Sequence, residues 1–190
     1  MAPHRVCPWW LGYLLACPLR RFAHDPTKIL APYVSEGMTV LEPGPGMGFF
    51  TLDLARLVGA SGHVVAVDVQ PKMIAALKRR LAKAGLAERA DVRLAQPDSM
   101  GVADLTGTVD FVLAFAVVHE LPPGSRFFAE AAAALKPGGL LLLAEPAGHV
   151  REAQFAAELS AAAAAGLIPA AGNAPAIRRS HAALLRKIEP

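Results

Sequence analysis

From residue 38 onward the chain alternates short, continuously apolar runs with longer helical patterns, and this alternation narrows its fold more than any other feature. The apolar runs are MTVLEP (38–43), HVVAVDV (63–69), DVRLA (91–95), VDFVLAFAVV (109–118) and GLLLLAEP (139–146). Between them lie FFTLDLARLVG (49–59), QPKMIAALKRRLAKAG (70–85), SRFFAEAAAAL (125–135) and, last, VREAQFAAELSAAAAAG (150–166). The strand runs show no polar alternation, so both of their faces are expected to be buried. Strands of that kind alternating with helices specify βαβ units: an α/β, doubly wound parallel sheet with helices on both faces. Helix punctuation agrees. Asp25 and Pro26 suit an N-cap and first helical residue for a helix closed by Gly37, and Pro71 and Gly85 bracket the next long one.

Hydrophobic residues make up 54% and charged residues 18%, a globular composition rather than a disordered one. A length of 190 residues suffices for one domain with a sizeable core. The net charge of +3 is small, and the basic pairs Arg20-Arg21, Arg79-Arg80 and Arg178-Arg179 are scattered. They are expected to be solvated helix faces and strand ends, not a nucleic-acid surface. Cys7 and Cys17 form no disulfide framework or CxxC. On a helix they would lie roughly 15 Å apart, too far to bridge. A reducing, cytoplasmic location is expected, and no metal. The apolar stretch VCPWWLGYLLACPL is shorter than the roughly 20 residues that span a bilayer. Arg20-Arg21 follow it without a small-x-small cleavage site, so neither secretion nor a membrane partner is expected.

The stretch VLEPGPGMGFF (40–50) carries the chemistry. Glycines between a strand and a helix let the backbone approach a ligand and take unusual dihedrals, and the helix beyond offers free N–H groups. A nicotinamide or flavin turn reads G-x-G-x-x-G. Here the glycines are Gly44, Gly46 and Gly48, Phe49 stands where the third should be, and Glu42 precedes them. A carboxylate there is unfavourable beside a pyrophosphate and favourable beside a cation.

This E-x-G-x-G-x-G turn resembles the first motif of the class I S-adenosylmethionine-dependent methyltransferases, and the likeness extends through most of the chain. It implies a Rossmann-like, mostly parallel sheet of seven strands with the last antiparallel, LIPAA (167–171) and IRRSHAALLRK (177–187) supplying strands six and seven. It also implies S-adenosyl-L-methionine as cofactor. Asp68, closing the second strand, would accept hydrogen bonds from the ribose hydroxyls, a role that would equally fit NAD. Asp98 falls on the position that contacts the adenine amino group, with Ser99 beside it, although Pro97 replaces the commoner glycine. Met73 would pack on the adenine. Glu42, Gly44, Pro45, Gly46, Gly48, Phe49, Val69, Phe115 and Ala116 complete the implied cofactor site.

The fourth strand ends FAVVHEL. Amino-methyltransferases of this class acting on nucleic acids and proteins often carry Asn or Asp, two prolines and an aromatic there, so that chemistry is disfavoured. His119 and Glu120 are the nearest titratable groups and the candidate catalytic residues; a histidine there is a candidate base, or it positions a loop or the cofactor. Glu145 either binds acceptor or caps the helix after Pro146. Residues 1–36 are expected to form a helical lid and acceptor pocket over a core spanning 37–190. Trp9, Trp10 and Tyr13 would supply apolar walls with polar handles, unless they pack as core. The expectation is methyl transfer by in-line displacement to a small-molecule O, N or S nucleophile, with a homodimer left open. A nicotinamide-dependent reductase and a non-catalytic cofactor-binding scaffold are the competing classes.

Overall fold

The computed structural model describes residues 24–122, 124–172 and 174–188. Trp9, Trp10, Tyr13, Cys7 and Cys17 lie outside them. The elements run α1 (Pro26–Leu30), β1 (Thr39–Pro43), α2 (Thr51–Leu57), β2 (His63–Asp68), α3 (Pro71–Lys83), β3 (Ala90–Leu94), β4 (Val109–Phe115), α4 (Phe127–Ala134), β5 (Leu135–Pro146), α5 (Glu152–Ala164), β6 (Leu167–Pro169) and β7 (Ser180–Lys187). They build one seven-stranded sheet of order β3-β2-β1-β4-β5-β7-β6. Parallel pairing joins β1 through β5, and β7 alone runs antiparallel, between β5 and β6. The seven-stranded, mostly parallel, doubly wound architecture is the one expected.

The unbroken apolar runs are explained by two cores. Successive strand residues point to opposite faces. Val40, Val64, Ala66, Phe111, Leu113 and Leu142 pack under α1, α2 and α3. Leu41, Val65, Val67, Val112, Ala114, Leu141 and Leu143 pack under α4 and against Ala162 of α5. Val109 breaks the alternation by joining the second core, because pairing between β4 and β5 shifts register between Val109 and Phe111. The intervening Asp110 is thereby freed to accept from the Thr39 N–H at 2.8 Å and to pair with Lys136.

Several element ends differ from expectation. α1 stops at Leu30 instead of running toward Gly37, because Pro32 has no N–H to continue the helix. Asp25 does cap it, accepting from the Thr27 and Lys28 N–H groups at 3.1 and 3.4 Å. α2 begins at Thr51, two residues late, since Phe49 and Phe50 belong to the glycine turn. β4 stops at Phe115, not Val118, for a reason that lies in the site. Residues 24–36, assigned to the lid, bury Ile29, Leu30 and Val34 in the same core as β1 and α2. Among the described residues no helix is long and apolar enough to cross a membrane.

Phe111 tests the first core. It is 1% exposed on central β4 and stacks on Tyr33 with ring planes 2° apart. Phe111→Ala is expected to lower the unfolding free energy by about 3–5 kcal/mol, read by urea denaturation.

Candidate functional site

β1 pairs β2 on one side and β4 on the other. The winding reverses here, so the loops leaving β1 and β4 diverge and open a crevice at the strands' carboxyl ends. A cavity of about 770 Å³ occupies it. Thirteen of the expected residues line it: Gly44, Pro45, Gly46, Phe49, Asp68, Val69, Met73, Asp98, Ser99, Phe115, Ala116, His119 and Glu120.

The three glycines answer to three different neighbours. All have positive φ, +67° at Gly44, +55° at Gly46 and +83° at Gly48. A Cβ on Gly44 would lie 2.7 Å from Val117 Cγ2, so the turn lies close against the β4 exit. A Cβ on Gly48 would lie 2.3 Å from Leu77 Cδ1 of α3. Gly48 therefore does not line the cavity; it permits the close helix packing that the third glycine gives a dinucleotide turn. A Cβ on Gly46 would meet nothing within 4 Å. Gly46 is the one whose open side lies against the cavity.

Asp68 sits across the turn. Its Oδ2 accepts from the Gly46 N–H at 3.2 Å and its Oδ1 from the Gln70 N–H at 2.8 Å. Burial raises its pKa to about 6, the two backbone donors oppose the rise, and the charge of Glu120 adds to it. Each oxygen keeps acceptor capacity, as a vicinal diol requires. Met73 is buried with Met47 and Ala76 beside it. Asp98 is exposed in the tight turn closed between Gln96 and Ser99. The Ser99 hydroxyl instead donates to Glu130 Oε1 at 2.7 Å, while the Met100 N–H donates to Glu130 Oε2 at 2.7 Å. Ser99 thus anchors this loop to α4. The cavity half between Gly44 and Met100 is lined by Asp68 and Asp98 and by no lysine or arginine among the described residues.

Glu42 lies beneath the turn, 3% exposed. It borders a small void of about 40 Å³ shared with Gly44 and Phe115 rather than the main cavity. Among the described residues its Oε2 has no hydrogen-bonding partner, and neither does the buried Thr51 hydroxyl. Burial pushes the Glu42 carboxyl up to about 8; the nearby Thr51 hydroxyl lowers it and Asp68 raises it further.

The other half of the cavity is built at the ends of β4 and β5. Ala116 takes a left-handed conformation, φ +55°, and ends the strand. The next two N–H groups, of Val117 and Val118, donate to Glu145 Oε1 at 3.2 and 2.7 Å. Glu145 Oε2 bonds His119 Nδ1. Glu145 is 0% exposed and does not line the cavity. The acceptor-binding and helix-capping roles considered for it give way to a carboxylate that organises the β4 exit. Burial disfavours the charged imidazole of His119, but the hydrogen bond and charge of Glu145, with Glu120 and Glu158, outweigh this and raise its pKa. Glu158 of α5 is itself pushed up to about 7 by burial and by Glu145, against the pull of His119.

Several lining residues carried no motif. His24 contributes its ring, 5.6 Å from that of Phe115, and bonds the Arg178 carbonyl at 3.1 Å. His149 lies 5.8 Å from His119, centroid to centroid. Arg178, Arg179 and Ser180 enter from the start of β7. Position gives the one sequence signal for His149: it follows a strand end in a parallel sheet, where ligands bind.

Residues 40–139 match the family model described as "Methyltransferase domain". An arsenite methyltransferase of Halobacterium salinarum is 35% identical over 112 residues, covering 59% of this chain and 28% of that protein. A ubiquinone biosynthesis O-methyltransferase of Paramagnetospirillum magneticum is 30% identical over 139 residues, covering 73% of this chain and 51% of that protein. The chain thus spans about half or less of the length of these curated relatives. In fold it is similar to the crystal structure of a SAM-dependent methyltransferase from Aquifex aeolicus, with a TM-score of 0.79, 24% identity and coverage of 96% of this chain and 100% of that one.

Glu42 gives a stability test. Its folded pKa of about 8 exceeds the ordinary 4.5, so ionising it costs stability that is absent below pH 4.5, grows between 4.5 and 8, and is constant above. Glu42→Gln is expected to stabilise the ligand-free protein at pH 8–9 by on the order of a few kcal/mol. The gain should disappear near pH 4 in thermal denaturation.

Proposed function

The chain belongs to the class I S-adenosylmethionine-dependent methyltransferases, and on that basis we propose that it transfers a methyl group from S-adenosyl-L-methionine to a small-molecule nucleophile. The observation that carries this reading is the cavity half around Gly46. It combines an open glycine face, an Asp68 carboxylate with acceptor capacity to spare and acidic lining without a lysine or arginine among the described residues. Such a site suits a cationic ribonucleoside and lacks the counter-charge a pyrophosphate needs. Gly44, Gly46, Asp68, Met73 and Asp98 would hold the cofactor, with the buried Glu42 carboxyl below it, whose ionised form a bound cation would favour. S-adenosylmethionine supplies an electrophilic methyl carbon whose bond to sulfur breaks as the bond to the acceptor forms, leaving a neutral thioether.

The acceptor occupies the half lined by Phe115, Val117, His119, Leu121 and Pro146. These walls exclude water and fix the approach, which contributes several kcal/mol when the reacting atoms are aligned. Glu145 holds the proton on His119 Nδ1, so neutral His119 presents the Nε2 lone pair. Nε2 takes the proton released by a hydroxyl or amine acceptor. Glu120 Oε1, 4.0 Å from Nε2, steadies the imidazolium that results. The enclosed, largely apolar walls of the half beside His119 favour a small acceptor.

Thermal-shift titration separates this reading from a nicotinamide-dependent reductase. S-adenosylhomocysteine is expected to raise Tm and NADP is not; stabilisation by NADP alone would overturn it. Methyl transfer by the purified protein to any member of a metabolite panel would remove the scaffold alternative. Asp68→Ala is expected to weaken S-adenosylhomocysteine binding by about 1.5–3 kcal/mol in calorimetry. His119→Ala is expected to lower kcat by about 10²–10⁴-fold for a hydroxyl acceptor. Because Glu145 raises the His119 pKa, wild-type kcat/KM should rise with pH through a midpoint above 6.5. Glu145→Gln should move that midpoint to lower pH as well as reduce the rate.

A further inference from the structure

Resting on the methyltransferase reading above, we propose that the acceptor is a small amphipathic acid whose carboxylate is bound by Arg178 and Arg179. The two cavity halves differ in charge. Opposite the acidic cofactor half, the acceptor half is lined by His24, His119, His149, Arg178 and Arg179, with Glu120 as its acidic member. Glu130 also borders the cavity, but its two oxygens already accept from Ser99 and Met100.

Both arginine side chains are exposed, and neither forms an ion pair among the described residues. Adjacent residues in extended chain point to opposite sides. Here Arg179 adopts φ +54°, a left-handed conformation uncommon for a side chain of its size, and both arginines line the same cavity. The turn is held from two sides: the Ala147 N–H donates to the Arg179 carbonyl at 2.9 Å, and His24 bonds the Arg178 carbonyl at 3.1 Å. Two tertiary bonds to the backbone thus fix the point from which both arginine side chains leave the main chain at the rim of the cavity. Guanidinium forks match carboxylates in a planar, two-bond geometry. Phe115, Leu121, Pro122 and Pro146 supply apolar surface between this pair and the cofactor half, so the ligand needs an apolar body as well as an anionic end.

The shared chemistry is a carboxylate, and the cofactor's own α-carboxylate is the other possible source of one. Benzoate and its neutral isostere benzamide are therefore titrated into wild-type protein saturated with S-adenosylhomocysteine, and into R178Q/R179Q and R178K variants. Benzoate is expected to bind the saturated wild type and benzamide not. R178Q/R179Q should weaken benzoate by about ten- to a hundredfold while keeping S-adenosylhomocysteine affinity, which also reports that the variant folds. R178K should fall between, keeping charge without the fork. Equal binding of benzamide, no benzoate binding to wild type, or benzoate affinity unchanged in the double variant would each overturn the proposal. Loss of S-adenosylhomocysteine affinity in a double variant that unfolds like wild type would also overturn it, assigning the arginines to the cofactor. Failure of the wild type to bind S-adenosylhomocysteine sinks the methyltransferase reading instead, a separate result.

Discussion

The pairing of β1 with β4 is the constraint on which the site depends. Their outgoing loops lead to α2 on one face of the sheet and α4 on the other. A crevice between them is unavoidable, but its floor is not left loose. Gly44 fits against Val117 so closely that no Cβ could be added. Val117 in turn is held by its N–H to Glu145. The carboxylate at the end of β5 thus fixes the exit of β4, and that exit supports the glycine turn at the end of β1. Three strand ends form one assembly, so a disturbance at Glu145 reaches the glycine turn without touching it.

The same region gathers acidic side chains whose ionisation burial opposes. Glu42, Asp68 and Glu158 all have pKa values pushed up, with burial the largest cause in each. Buried acids that do not find a full set of donors cost free energy in the ligand-free protein. A ligand bearing positive charge relieves part of that cost when it binds, so stored electrostatic strain becomes affinity for the right charge type. Arg178 and Arg179 border the same cavity from the start of β7, three strands along the sheet from β1, so the cavity carries cationic as well as acidic groups.

Most of the fold was legible because continuous apolar strands and Pro or Gly helix ends are local signals. Pro71 opens α3 and Gly85 follows it, as expected. The glycine turn was legible because its spacing already excluded one cofactor class. The misjudged boundaries were settled by partners distant in sequence. Val117 and Val118 look like strand, yet their N–H groups go to Glu145 instead of a neighbouring strand. Asp110, at the register shift between Val109 and Phe111, bonds Thr39 and Lys136, both distant in sequence. Arg178-Arg179 was expected at a solvated strand end. It does stand at one, but nothing local reveals that this strand end opens onto the cavity, because that follows from β7 inserting beside β5.

That insertion carries a consequence for biosynthesis. β7 is the last described strand to emerge during translation, yet it lies inside the sheet between β5 and β6. Until it arrives, Leu140, Leu141, Leu142 and Leu143 of β5 present an unpaired apolar edge to solvent or to a chaperone. The elements that form the glycine turn and carry Asp68, β1 through β4, are already synthesised by then. The nascent chain therefore passes through an interval in which that half of the cavity can form and the half bordered by Arg178 and Arg179 cannot. On the proposed reading, cofactor bound early would protect the growing sheet until β7 arrives.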